Sequence, residues 1–95
     1  MRKRRRKFRS YHYGYTFTKI DWNRLKQNYK FEKQLKWVKQ KSGFYIDSSN
    51  RFKILANGGN IYWRLYDMLK NDEYITDKFV YAKYIANKIY NGEHP

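Results

Sequence analysis

Seven cations and no acid occupy residues 1–9 (Arg2, Lys3, Arg4, Arg5, Arg6, Lys7 and Arg9), and rings follow at Phe8, Tyr11, Tyr13 and Tyr15. Side chains of these two kinds can do one sort of chemistry together. Guanidinium and ammonium groups neutralise phosphates, and guanidinium also forks onto anions and stacks on rings. Aromatic rings stack on unpaired bases. The stretch therefore reads as an arm that closes on nucleic acid, RNA gaining most because its recognition leans on shape and stacking. A bare Lys/Arg run serves equally as a nuclear address or a solubilising tail, and a transit peptide would be Ser-rich, which this stretch is not. The interleaved rings favour the arm.

Two further constellations could bind anions or bases. Residues 19–41 carry a net +6 and residues 42–95 only +1, so +13 of the formal +14 lies before Ser42. Such asymmetry marks an electrostatic partner, most often a polyphosphate. In helical register Lys26, Lys30, Lys33 and Trp37 share one face, opposite Phe31, Leu35 and Val38. A row of lysines is usually just a solvated face, but here most lack an acid four residues away to offset them. In "IYWRLYD", Tyr62, Arg64 and Tyr66 alternate with Ile61, Trp63 and Leu65. A strand would present the first set outward as a reading surface, or simply as a cross-strand aromatic pair holding a thin sheet.

Other chemistry finds little support. Without Cys there is no disulfide, thiolate nucleophile or Cys-based zinc site, and His12 and His94 lie near opposite ends. Asp47, Asp67, Asp72, Glu73 and Asp77 are scattered, with Asp72 and Glu73 expected in a turn. "YHY" at residues 11–13 has no supporting cluster that would make a tyrosine nucleophile. No enzyme activity, metal, cofactor or small-molecule substrate is expected. No apolar run approaches the roughly 18–20 residues that span a bilayer, so no membrane is expected either. Absent cysteines fit a reducing, intracellular setting. The Lys-, Asn-, Ile- and Tyr-rich usage fits a phage or mobile element of a low-GC bacterial host, placing the protein in that host's cytoplasm.

The elements that must position these groups follow from periodicity. At 95 residues the chain supports one small domain burying roughly 60–65% of its unfolded surface. Its twenty aromatic residues exceed what such a core hides. Residues 1–18 should be a disordered arm, because like charges repel and no apolar period supports folding. Residues 19–95 then form the domain. "TKIDWNRLKQNYKFEKQLKWVKQKSG" reads as helix, capped by Thr18 or Asp21 and closed by Gly43. Its two apolar stripes, Trp22–Leu25–Tyr29 and Phe31–Leu35–Val38, lie on nearly opposite faces. They admit either a break near residues 28–30 or one helix touching two partners. With no Gly or Pro inside, the single long helix is preferred.

"GFYIDSSNRFKIL" reads as two strands around a polar turn with Phe52 and Ile54 on one side, and "ANGGN" as a turn. Residues 61–69 read as strand, with a helix as rival. "TDKFVYAKYIANKIYNG" is a helix capped by Thr76 and closed by Asn91–Gly92, showing Phe79, Ala82, Ala86 and Ile89 on one face. The expected fold is α+β: a disordered basic arm, one long helix, an antiparallel sheet of about three strands and a C-terminal helix.

With these segments laid out, two resemblances emerge. Residues 43–92 look like the small three-strands-plus-helix domains preceding the catalytic part of some phage-type integrases, whose sheet enters the DNA major groove. The whole-chain order, with its Gly-aromatic-aromatic-aliphatic step at Gly43, Phe44, Tyr45 and Ile46, is similar to a type II anti-CRISPR family of small mobile-element inhibitors. That resemblance implies contact of the basic arm with guide RNA, target DNA or acidic patches of an RNA-guided nuclease. The expected partner is thus nucleic acid, RNA or DNA, within a nucleoprotein complex. The alternatives are a structural ribonucleoprotein subunit, or a protein–protein inhibitor using an aromatic patch that includes Trp63 and Tyr66.

Overall fold

The structure, a computed structural model, describes residues 10–12, 17–57, 59 and 62–93, the first three by their backbone alone. The expectations placed on residues 2–9, on Tyr13 and Tyr15 and on Ile61 lie outside the described residues, as does the side chain of Tyr11. The elements are β1 (Ser10–His12), α1 (Lys19–Lys26), β2 (Trp37–Lys39), β3 (Tyr45–Asp47), β4 (Phe52–Asn57), β5 (Tyr62–Asp67), β6 (Asp72–Thr76) and α2 (Phe79–Tyr90). The fold class is α+β. The sheet is larger than the expected three strands. β2 to β6 form an antiparallel meander, and β1 adds in parallel to β6, giving the order β1-β6-β5-β4-β3-β2. Ser10–His12, assigned in sequence to the disordered arm, is therefore an edge strand in register with Asp72–Tyr74.

The meander follows from alternation and turn chemistry. Phe52 and Ile54 of β4 and Leu65 of β5 are fully buried on one face, as their period of two requires. Asn50 (φ 64°) and Asn71 (φ 63°) take the left-handed conformation in the β3–β4 and β5–β6 connections, which Asn adopts more readily than other residues bearing a Cβ. The buried Asp47 carboxylate fixes the first of these turns by accepting from the Ser49 and Phe52 amides at 2.7 and 2.6 Å. Residues 62–67 are strand, and the helical rival for them fails. Asp72 and Glu73, expected in a turn, instead open β6.

α2 covers the buried sheet face with Ala82, Ile85, Ala86 and Ile89, a stripe at i, i+3, i+4 and i+7. Thr76 does not cap it. Thr76 belongs to β6 and its hydroxyl donates to the Lys78 carbonyl at 2.8 Å, while Lys78 occupies the N-cap position without a side-chain cap bond.

The long helix is the main correction. α1 stops at Lys26, and Trp37–Lys39 is a strand. The terminator is Asn28 at φ 54°. The Asn28 amide donates to the Leu25 carbonyl and the Tyr29 amide to the Arg24 carbonyl at 2.8 Å, the paired bonds of a Schellman motif. α2 ends with the same motif around Gly92, where the Glu93 amide reaches the Lys88 carbonyl at 2.8 Å. An asparagine does at α1 what a glycine does at α2.

Candidate nucleic-acid interface

α1 lies against the outer side of α2, and one carboxylate holds it there. Thr18 and Asp21 form a reciprocal capping box. The same Asp21 carboxylate, buried, accepts from the Tyr84 hydroxyl at 2.5 Å and from Lys88 Nζ at 3.1 Å. Burial by itself would raise the Asp21 pKa. The bonds from Tyr84, from the Thr18 amide, from Lys88 and from the Thr18 hydroxyl outweigh it and hold the carboxyl well below its usual range. Burial, with the bond to Asp21, drives the Tyr84 phenol above its ordinary value and keeps it a donor. At the far end Arg24 pairs with Glu93 at 2.8 Å, which raises the guanidinium pKa further, and stacks on the Tyr29 ring at 4.5 Å.

Between α1 and β2 the chain runs along α2 without regular secondary structure, bending at residues 32–33, and two asparagines one helical turn apart hold it. The Leu35 amide donates to Asn87 Oδ1 and the Lys33 amide to Asn91 Oδ1, both at 2.9 Å, while Asn91 Nδ2 returns a bond to the Lys33 carbonyl at 2.8 Å. This clamp replaces the helical hydrogen bonds that the segment forgoes. It also leaves a groove of about 450 Å³ between α1, residues 28–37 and α2. Its walls include the rings of Tyr29, Phe31, Trp37 and Tyr84, with Arg24, Lys30 and Lys83 as its cations and no carboxylate. Trp37 Nε1 is buried with no hydrogen-bond partner among the described residues. An orphan of that kind costs roughly 1–3 kcal/mol.

The expected single face of Lys26, Lys30, Lys33 and Trp37 does not exist, because the helix that would carry it ends first. Lys26 closes α1, Lys30 and Lys33 lie in the irregular segment that follows, and Trp37 opens β2, half-buried against the core. Lys30 and Trp37 do both line the groove. What survives of the stripe is its lack of compensation. Seven of the eight cations in residues 19–41 are lysines, all exposed, and none has an acidic partner among the described residues; only Arg24 does.

The C-terminal cations behave in the opposite way. Arg51 holds Asp67 through two bonds of 2.9 Å, Arg64 pairs with Glu73 and Lys88 with Asp21. Lys53 lies over the Phe44 ring at 4.5 Å and Lys83 over Phe79 at 4.7 Å. These C-terminal cations engage Asp67, Glu73 and Asp21, and Arg24–Glu93 brings to four the acids paired with cations among the described residues.

Tyr62, Arg64 and Tyr66 share the sheet face away from α2, as expected of a strand. Their polar groups are already engaged. Arg64 is committed to Glu73 and lies over the Tyr66 ring at 5.6 Å, and the Tyr62 hydroxyl accepts from Asn57 at 2.8 Å. Burial first, then the nearby Glu73 charge, raises the Tyr66 pKa above its ordinary 10.0. This set reads as sheet structure more than as a reading surface.

Residues of the groove that sequence reasoning missed include Arg24, Tyr29 and Lys83. The repeat of Asn87 and Asn91 on the polar side of α2 was the one visible signal that a chain segment is clamped there. Among the described residues no group of three or more His, Asp or Glu is placed to hold a metal, and no helix is long and apolar enough to cross a membrane. No family model, curated protein or solved structure matches the chain.

Proposed function

We propose that this chain is a non-enzymatic nucleic-acid-binding protein that grips phosphate backbone with its basic arm and with the lysines of residues 19–41, Lys26, Lys30 and Lys33 foremost. The observation that carries this reading is the uncompensated lysine surface. In a protein that pairs or stacks five of its seven C-terminal cations, seven exposed lysines without an acid among the described residues are a standing unfavourable field. A polyanion turns that field into binding free energy by releasing condensed counterions. The arm, with seven more cations in residues 1–9, adds reach. The partner is RNA or DNA held in a nucleoprotein complex of a phage or mobile element, and an RNA-guided nuclease of the type II CRISPR kind is one such complex.

Electrophoretic mobility shifts across a salt series test it. If about five phashates of duplex are neutralised, log K falls against log[salt] with a slope of about −4 to −5. Deleting residues 1–9 flattens that slope and leaves the thermal midpoint in place. Affinity that ignores salt defeats the proposal. Co-purification with and without nuclease then separates a nucleic-acid bridge from direct protein contact.

A further inference from the structure

We propose that the groove between α1, residues 28–37 and α2 receives one unstacked base of a single strand, with the adjoining phosphate on Lys30 and Lys83. This inference rests on the nucleic-acid reading above and deepens it by assigning a base site and a strandedness preference. Four features of the groove converge. Its volume, about 450 Å³, lies in the range of small-ligand sites and admits a base with its sugar. Tyr29 supplies an exposed ring, with Phe31 buried behind it at 5.0 Å between centroids and Tyr84 buried behind Phe31 at 5.4 Å. Such aromatic platforms hold bases of any identity, since every base has a π-face.

The charge of the wall is one-sided. Among the described residues it offers the cations Arg24, Lys30 and Lys83 and no carboxylate, beside the neutral amides of Asn28, Gln34 and Asn87. Gln34 Oε1 is already taken by the Phe31 amide at 3.0 Å, which leaves its NH2 end to donate. Trp37 lines the groove as well, and its Nε1 is a buried donor with no acceptor among the described residues. Such a surface asks for a flat ligand rich in acceptors. A nucleotide is one, through its ring carbonyls and phosphate oxygens, and entry of a base parts the side chains that seal the Trp37 N–H and brings it an acceptor. An acidic peptide answers the cations but leaves the rings without a planar partner. A base inside a duplex cannot enter, because its faces are already stacked.

The test compares fluorescein-labelled oligothymidylate with a blunt duplex of equal charge, by anisotropy. Intact protein is expected to prefer the single strand. Tyr29→Ala and Lys83→Gln together lower single-strand affinity about tenfold or more, the scale of one lost stack, and change duplex affinity by less than about twofold. Lys83→Gln alone, which removes the charge of a half-buried side chain and keeps most of its length, shows the same direction should Tyr29→Ala disturb the fold. Trp37→Phe keeps a ring, deletes the orphan donor, and lowers single-strand affinity without lowering the thermal midpoint.

Equal losses on single strand and duplex, or no loss on either, overturn the base site while the nucleic-acid reading stands. Oligoglutamate bound with the same dependence on Tyr29 and Lys83 overturns it too. Wild-type protein that binds neither strand nor duplex at low salt ends the nucleic-acid reading, and the groove assignment goes with it.

Discussion

Residues 19–41 and residues 42–95 carry nearly equal numbers of cations, eight and seven, and use them in opposite ways. The second region spends five of its seven on structure. Arg51, Arg64 and Lys88 each close on a buried carboxylate, and Lys53 and Lys83 lie over rings. The first region leaves seven of its eight in solvent. The difference teaches that a formal charge of +14 says less than the partner list. Once the internal pairs are set aside, most of the positive surface that remains among the described residues belongs to residues 19–41, with Lys70, Lys78 and the half-buried Lys83 as the C-terminal cations still within reach of a polyanion.

The largest effect should come from breaking a C-terminal pair. Asp67 is fully buried and accepts both from Arg51 and from the Leu69 amide at 3.2 Å, so Arg51→Ala leaves a buried carboxylate without its cation. A loss of about 3–5 kcal/mol is expected by urea denaturation. A loss below about 1 kcal/mol would place Arg51 with the surface lysines and weaken the comparison.

Acid sharpens it next. The Asp21 carboxyl sits below its ordinary 3.8 in the folded chain, so its contribution is complete above 3.8 and drains away as pH falls from there toward the folded value. Denaturant midpoints followed downward through that value should fall in wild type, and fall less in Asp21→Asn, which starts lower. Because Asp21 bridges Thr18, Tyr84 and Lys88, near-ultraviolet circular dichroism of the aromatic residues at the α1–α2 contact should report the same loss.

A smaller effect isolates α1. Thr18→Ala removes the cap bond to the Asp21 amide and one bond to its carboxylate, and should cost about 1 kcal/mol. Smallest for stability is the triple Lys26→Ala, Lys30→Ala, Lys33→Ala. Each change should move the folding free energy by no more than about 0.5 kcal/mol. The same triple should make the salt slope of nucleic-acid binding shallower by about two to three. A triple variant that unfolds would show these lysines to be structural after all.

How much could be read beforehand depended on which residue carried the signal. The β3–β4 hairpin, the strand at residues 62–67 and the buried stripe of α2 follow from short-range alternation and from helical spacing, and these survive. The end of α2 was legible because Gly92 is the usual residue for a left-handed closure. The end of α1 was not, because Asn28 does the same work and asparagines also sit inside helices. That one residue undid the lysine face, since Lys30, Lys33 and Trp37 lie beyond it. Glu73 was misplaced for a similar reason: adjacent acids suggest a turn, and only Arg64 on the neighbouring strand makes a buried glutamate tolerable.

The amino-acid order alone settled the charge asymmetry, the absence of thiol chemistry and the α+β class, because these depend on composition and on periods of two and three to four residues. Tertiary structure decided which cations stay free, where α1 stops and that a ring-lined groove exists at all. The physical reason is range. Ion pairs such as Arg24–Glu93 and Lys88–Asp21, and the asparagine clamp on residues 33–35, join positions more than fifty residues apart, and no local pattern encodes them.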